Sequence, residues 1–183
     1  MKARFGETLV TALVGDLTLQ DTDGLVNAAN SRLAGGGGVD GAVHARGGPA
    51  IMRELAVIRA RQGGCPAGEA VITGGGALAA RWVIHTVGPV YSGRPADATL
   101  LASCYRNSLR LAGEHGLRTL AFASISTGVY RYPLEEAAPI AIAAVLAALP
   151  LYPLAEVRFV LFSARDYEVY RRLLAANPAL TQQ

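Results

Sequence analysis

Residues 31–44 read SRLAGGGGVDGAVH, where four consecutive glycines, Gly35 to Gly38, run into Val39, Asp40 and a helical pattern. Glycine has the most backbone freedom to lose on folding, so so dense a run carries an entropy cost that needs a purpose. Without side chains to hold the backbone away, successive N–H groups can converge on one anionic group, as nests and helix N-termini do for phosphate. The run follows a strand-like stretch, Gly24 to Ala28, whose GLVNA ends in polar residues.

Working outward, strand-like runs alternate with Ala/Leu-rich helical stretches. Thr8 to Val14 reads as a strand, Asp40 to Gly47 as a short helix, and Pro49 to Arg61 as a longer one with Met52, Leu55 and Ile58 on one face. Glu69 to Thr73 and Trp82 to Val87 read as strands. Thr99 to Glu114 is helical, with Leu100, Leu101, Cys104, Leu109 and Leu111 as its buried stripe. Arg118 to Ala123 returns as a strand and leads into a second loop, SISTGVYRYP. An alanine-rich helix from Pro133 to Leu149 follows, where Pro139 is expected to kink it or delay its start. Strand Val157 to Phe162 and helix Asp166 to Ala175 close the chain. Strands separated by helices of this length predict an α/β domain with a mainly parallel sheet covered on both faces.

The 183 residues, 51% hydrophobic and 17% charged, suffice for one sizeable core, and a single domain over 1–183 is expected. No apolar run has transmembrane length, and MKARFGETLV reads as a short charged lead, not a signal peptide, so a soluble, cytoplasmic protein without a membrane partner is expected. Cys65 and Cys104 stand far apart without ligand spacing and read as free thiols. His44, His85 and His115 show no metal spacing either, so neither a metal nor a cofactor is expected. A net charge of +3 and a pI near 9.1 mildly favour anionic ligands, but Lys2 is the sole lysine and the arginines are scattered. Specific nucleic-acid binding is not expected.

In open α/β sheets, ligands bind beyond the carboxyl ends of the strands, where loops lead into helices. Two loops fit that position, Gly35 to Asp40 and Ser124 to Tyr132, and together they could grip a diphosphate. The plain alternative is that each is only a tight turn. Gly36 to Gly41 also fits G-x-G-x-x-G, but Asn30 to Ala34 intervene after the strand and the acid of suitable spacing, Glu54, lies inside a helix. No glycine in either loop is followed by Lys and then Ser or Thr, so a P-loop is absent.

GDLT at 15–18, LVNAANSRLAGGGGVDGAVH at 25–44, GCPAGEAVIT at 64–73, WVIHTVGP at 82–89, CYRNSL at 104–109 and SISTGVYRYP at 124–133 resemble, in order, successive blocks of the macrodomain family, nearest its MacroD-type branch. The resemblance implies a three-layer α/β/α fold with a mixed, mainly parallel sheet and a cleft for ADP-ribose. It also implies hydrolysis of ADP-ribose esters, both mono-ADP-ribose on Asp or Glu of proteins and O-acetyl-ADP-ribose. A nucleic acid would enter only as an ADP-ribosylated substrate.

Each candidate has a local reading beside the one the resemblance implies. Asp16 reads as an N-cap; by resemblance it accepts the adenine amino group, with Leu17 beside it. Asn27 and Asn30 could simply satisfy nearby backbone groups. The resemblance sends Asn30 to the distal ribose hydroxyls, with Asn27 as its support.

Asp40 reads as an N-cap of a helix 41–47. A carboxylate directly after a phosphate-holding loop opposes the bound anion, however, unless it works close to the ligand. Asp40 is therefore expected to orient or deprotonate a water that attacks the ester or the anomeric carbon of the distal ribose, while a ligand phosphate positioning that water is an open variant. His44, one turn on, could share that face in an orienting role. Asn30 and Asp40 are the catalytic candidates.

Gly36, Gly37, Gly38 and Val39 in the first loop, and Ser126, Thr127, Gly128 and Val129 in the second, would hold the diphosphate through backbone N–H groups. Tyr130 would cover the distal ribose and Phe162 would stack on adenine, although either could be a packing residue. Arg46 and Gly47 stand where the family pattern has small alanines, AFASIS lacks the usual Pro, and Arg131 replaces a Gly. Three functional readings remain open: a hydrolase using Asp40, a non-catalytic ADP-ribose reader, and a dinucleotide oxidoreductase preferring intact NAD.

Overall fold

Apolar strand segments bracketed by amphipathic helices place the elements almost where their periodicity predicts. In the computed structural model, which describes residues 1–182, the strands are β1 (Lys2–Phe5), β2 (Thr8–Val14), β3 (Gly24–Ala29), β4 (Ala70–Gly74), β5 (Trp82–Val87), β6 (Thr119–Phe122), β7 (Glu156–Leu161) and β8 (Thr181–Gln182). The helices are α1 (Gly38–Gly47), α2 (Pro49–Gln62), α3 (Pro95–Glu114), α4 (Leu134–Ala148) and α5 (Ala164–Ala176), with a 3-10 turn at Leu17–Leu19.

The strands form one sheet in the order β4-β5-β3-β6-β7-β2-β1-β8. The five central strands, β5, β3, β6, β7 and β2, are parallel. Strands β4, β1 and β8 add antiparallel edges. From β3 to β5 the chain moves one way across the sheet, and from β5 through β6 to β7 it moves the other. Right-handed crossovers therefore send the connecting helices to opposite faces. Accordingly α1 packs on α2, while α3 packs on α4 and α4 on α5, giving a three-layer α/β/α sandwich.

Covering both faces explains the apolar strands: Leu25, Val26, Val83, Ile84, Leu120 and Phe122 are all fully buried. On one face Tyr105, Phe122, Phe159 and Tyr170 form an aromatic row with successive centroids 5.2, 6.1 and 5.1 Å apart.

The departures from expectation have local causes. The charged lead is a short strand, β1, paired between β2 and the two-residue β8, and strand alternation turns Lys2 and Arg4 to solvent while Ala3 is buried. On α2 the buried residues are Ile51 and Leu55, with Met52 and Ile58 half-buried at the margin. Helix α4 begins at Leu134 without delay and runs unbroken past Pro139. Pro139 lies exposed in the second turn, where water can solvate the carbonyl its missing N–H leaves free. Among the described residues no helix is long and apolar enough to cross a membrane.

Candidate functional site

All five parallel strands end on one cleft of about 780 Å³. Gly15 to Leu17 enter it after β2, Ala28 to Asn30 at the end of β3, Gly36 to Asp40 in the loop beyond, Gly88 after β5, Ala123, Ser124 and Ser126 to Tyr130 after β6, and Phe162 after β7. Because β3 and β6 are neighbours in the sheet, the two glycine-containing loops face the same space. Sequence alone could not establish that adjacency.

The first loop leads into α1 through positive-φ turns at Gly35 (+78°) and Gly38 (+59°). In the second, Ser126 adopts φ +66° and donates its hydroxyl to Pro89 O at 2.8 Å, and Tyr132 N–H returns to Ser126 O at 3.0 Å. A Cβ on Gly88 would collide with Ser126 Oγ, so only glycine lets β5 end this close to the loop. Among the described residues, the N–H groups of residues 36–40 and 126–130 have no hydrogen-bond partner outside the regular elements. The same residues line the cleft, and N–H groups without an internal partner in two such loops suit an extended anion such as a diphosphate.

Asp40 does not cap α1. The cap is Gly37, because the helix begins two residues earlier than the sequence suggests, and this draws Asp40 into the first turn and out of the water. Its Oδ1 accepts from Asn27 Nδ2 at 2.7 Å and lies 3.4 Å from His44 Nε2. The other oxygen borders the cleft: a Cβ on Gly36 would sit 3.6 Å from Asp40 Oδ2 and 3.8 Å from Asn30 Nδ2. Asn30 and Asp40 thus flank one small volume at the mouth of the glycine loop. Asn30 also ties that loop together, donating to Gly35 O at 2.8 Å and accepting from Ala34 N at 3.3 Å. One N–H of its amide remains for a ligand.

At the opposite end, Asp16 caps the 3-10 turn as read: its Oδ1 accepts from Thr18 N at 2.8 Å and Thr18 Oγ1 at 2.6 Å. The Thr18 hydroxyl, then the Thr18 N–H and more weakly the Arg46 guanidinium, hold the carboxyl below its usual range against the opposing effect of burial. Its Oδ2 has no partner among the described residues, so capping and ligand recognition are compatible. Leu17 is buried beneath. Phe162, at the end of β7, is 92% exposed and Val129 is 91% exposed, so neither is a packing residue.

Of the residues proposed from sequence, Asp16, Leu17, Asn30, Gly36 to Asp40, Ser126 to Tyr130 and Phe162 all line the cleft. Asn27 and His44 do not; they lie under Asp40. Gly88, Val160 and Asp166 line it without having been singled out. For Gly88 the signal was its place in WVIHTVGP; Asp166 read only as a helix start.

Arg46 stands beside Asp16 and Thr18, where its charge acts on the Asp16 carboxyl. Arg131, where the family pattern has Gly, is held at φ +60°. The fold brings ligating atoms of Asp40, His44 and His85 within 4.8 Å of one another, which sequence spacing did not suggest. The Asn27 amide stands between two of them, donating to Asp40 at 2.7 Å and lying 3.2 Å from His85 Nδ1. An N–H donor in that gap makes the cluster a hydrogen-bond network, not a set of ligands converging on a cation.

A three-layer α/β/α sandwich whose parallel strands end on paired main-chain cradles defines a phosphate-binding domain with a carboxylate at one end of its cleft. The Macro domain family profile matches residues 26–141, and the chain belongs to the macrodomain family. It is 56% identical over 164 residues to a macro domain-containing protein of Caldanaerobacter subterraneus subsp. tengcongensis, covering 89% of this chain and 94% of that one. It is 51% identical over 168 residues to an O-acetyl-ADP-ribose deacetylase of Klebsiella pneumoniae, covering 91% and 96%. The Oceanobacillus iheyensis macrodomain solved with ADP superposes with a TM-score of 0.91 at 43% identity, covering 96% of this chain and 94% of that one.

Proposed function

We propose that this protein binds ADP-ribose and hydrolyses its esters, acting in the cytoplasm on O-acetyl-ADP-ribose and on mono-ADP-ribose attached to Asp or Glu of proteins, as a member of the MacroD-type branch. The observation that carries the reading is the pair of loops with unpartnered N–H groups lining one cleft, together with Asp16 and the Asn30–Asp40 pair. That spacing of groups suits a nucleotide whose adenine lies against Phe162 and Asp16, whose diphosphate takes the N–H rows, and whose distal ribose reaches Asn30. The Klebsiella relative's name supports the ester chemistry.

In this reading, Asn30 orients the ribose hydroxyls through its remaining N–H. Asp40 Oδ2 takes a proton from a water as that water adds to the ester carbonyl, and the tetrahedral intermediate expels the ribose oxygen, which takes that proton back from Asp40, to give ADP-ribose and a carboxylic acid. The phosphate-activated variant differs in the group that receives the proton. Tyr130 closes over the distal ribose, and His44, 3.4 Å from Asp40, orients the carboxylate.

The test pairs calorimetry of ADP-ribose binding with product analysis on O-acetyl-ADP-ribose and on a protein bearing mono-ADP-ribose on Glu. Binding with turnover of both substrates is expected. Binding without turnover would make the domain a reader, and preference for intact NAD over ADP-ribose would make it a dinucleotide enzyme.

A further inference from the structure

Beneath the cleft floor lies a chain of buried polar groups that ligand binding does not use. Asn27 on β3, Thr73 on β4 and His85 on β5 are fully or almost fully buried. Sheet register brings them together: Asn27 is opposite His85 in the parallel β3–β5 pair, and Thr73 lies two residues from Val71, the partner of His85 on β4. A one-residue slip of either strand would turn these groups to the opposite face.

Each bond in the chain has a direction imposed by chemistry. An ionised Asp40 can only accept, so the Asn27 NH₂ faces it and donates to Oδ1 at 2.7 Å. The same NH₂ points its second hydrogen at His85 Nδ1, 3.2 Å away. That nitrogen must therefore accept, which puts the ring proton on Nε2. From there it donates to Thr73 Oγ1 at 2.9 Å, and the Thr73 hydroxyl donates onward to Gly74 O at 3.0 Å. The amide is held by its donors alone, because Asn27 Oδ1 has no partner among the described residues. His44 stacks on His85 with centroids 6.1 Å apart and completes the polar surroundings of the ring.

We propose that Thr73 and His85 are positioning residues for Asp40: they lock the Nε2–H tautomer of His85, which fixes the Asn27 amide, which pins Asp40 Oδ1 and leaves Oδ2 aimed at the cleft. The inference rests on the reading of Asp40 as the group that handles the attacking water. Neither residue touches the ligand space, so both act on the rate while leaving affinity alone.

The critical variant is Thr73→Val, which keeps the shape but removes the acceptor for His85 Nε2–H. The buried Nε2–H is then left without an acceptor, so the ring and the Asn27 amide it meets are no longer held in place. The expected result with O-acetyl-ADP-ribose is a fall in kcat on the order of 10–100-fold. KM and ADP-ribose affinity should stay within about twofold, the signature of an interaction made only in the transition state. Thr73→Ser, which returns the hydroxyl, should recover most of the loss. Nitrogen chemical shifts of His85 supply a readout that a merely structural role would not move: an Nε2–H tautomer in the wild type, with the Nε2 shift displaced in Thr73→Val as its hydrogen bond is lost.

An Nδ1–H tautomer in the wild type overturns the relay even if Thr73→Val does not fold. So does a folded Thr73→Val with wild-type kcat, or one that loses ADP-ribose affinity in step with kcat. If wild type and Asp40→Asn turn over equally, or the wild type binds ADP-ribose without cleaving it, the underlying reading of Asp40 fails instead, and the relay loses its catalytic purpose.

Discussion

The proposed mechanism gives Asp40 two separable duties, and the pair Asp40→Asn and Asp40→Ala tells them apart. Its Oδ1 is the acceptor for one N–H of Asn27, which is fully buried, while its Oδ2 is the oxygen at the cleft. Alanine removes both and leaves a buried donor without a partner, a loss of about 1–3 kcal/mol. For a chain of this size each kcal/mol moves the melting temperature by roughly 2–4 °C, so Asp40→Ala should melt about 2–12 °C lower. Asparagine keeps an acceptor in the place of Oδ1 but no base at Oδ2. Its melting temperature should therefore lie within about 4 °C of wild type, about one kcal/mol. Removing a general base lowers kcat by roughly 10²–10⁴-fold, and both variants should show that loss. Scanning calorimetry reads the first quantity, and ADP-ribose release from O-acetyl-ADP-ribose under single-turnover conditions reads the second. A folded Asp40→Asn with wild-type turnover would refute the catalytic assignment, and an Asp40→Ala that melts with wild type would refute the buried bond to Asn27.

Phe162→Ala should leave stability within about 0.5 kcal/mol because the ring is 92% exposed. It should weaken ADP-ribose by roughly 5–100-fold in calorimetry, the worth of one base stacked on an aromatic ring. Burial, aided by the neighbouring His44, pushes the His85 pKa from 6.5 down to about 3. The folded protein therefore resists a proton that the unfolded chain accepts below 6.5, so His85 contributes stability above that pH and loses it as pH falls toward 3. Denaturant titrations should show a loss of about 1.5 kcal/mol between pH 6.5 and 5, a flat profile there being the contrary result. Arg131 is held at φ +60°, a conformation that strains any residue with a Cβ. Arg131→Gly should raise stability by about 0.5–1 kcal/mol, the relief of strain less the added entropy of glycine in the unfolded chain, as thermal melting would report.

Local pattern made much of the fold legible. The strands Thr8–Val14 and Trp82–Val87 match their predicted bounds because an apolar β-branched run needs no distant partner to announce itself. The start of α1 did not, because four glycines carry no hydrophobic period, and so Asp40 read as a cap when it is a buried first-turn residue. Strand β1 was missed for a related reason: a four-residue strand with its charges on the solvent face looks like a polar lead. The cleft residues were legible because both loops carry glycine and small hydroxyl residues next to the ordered blocks of the macrodomain pattern, and that composition has few uses other than close approach to an anion.

By itself the sequence determined the alternation of strands and helices, the two loops able to present N–H groups, and membership of a family through the order of its blocks. These are properties of neighbours along the chain. Only the tertiary structure decided that β3 lies beside β6, so that the loops face one another, and that Asn27 lies opposite His85 with Thr73 behind it. Residues 46 and 58 positions apart along the chain cannot signal their contact through periodicity. Strand order and register bring them together, and those follow from the packing of the whole sheet between its two helical layers.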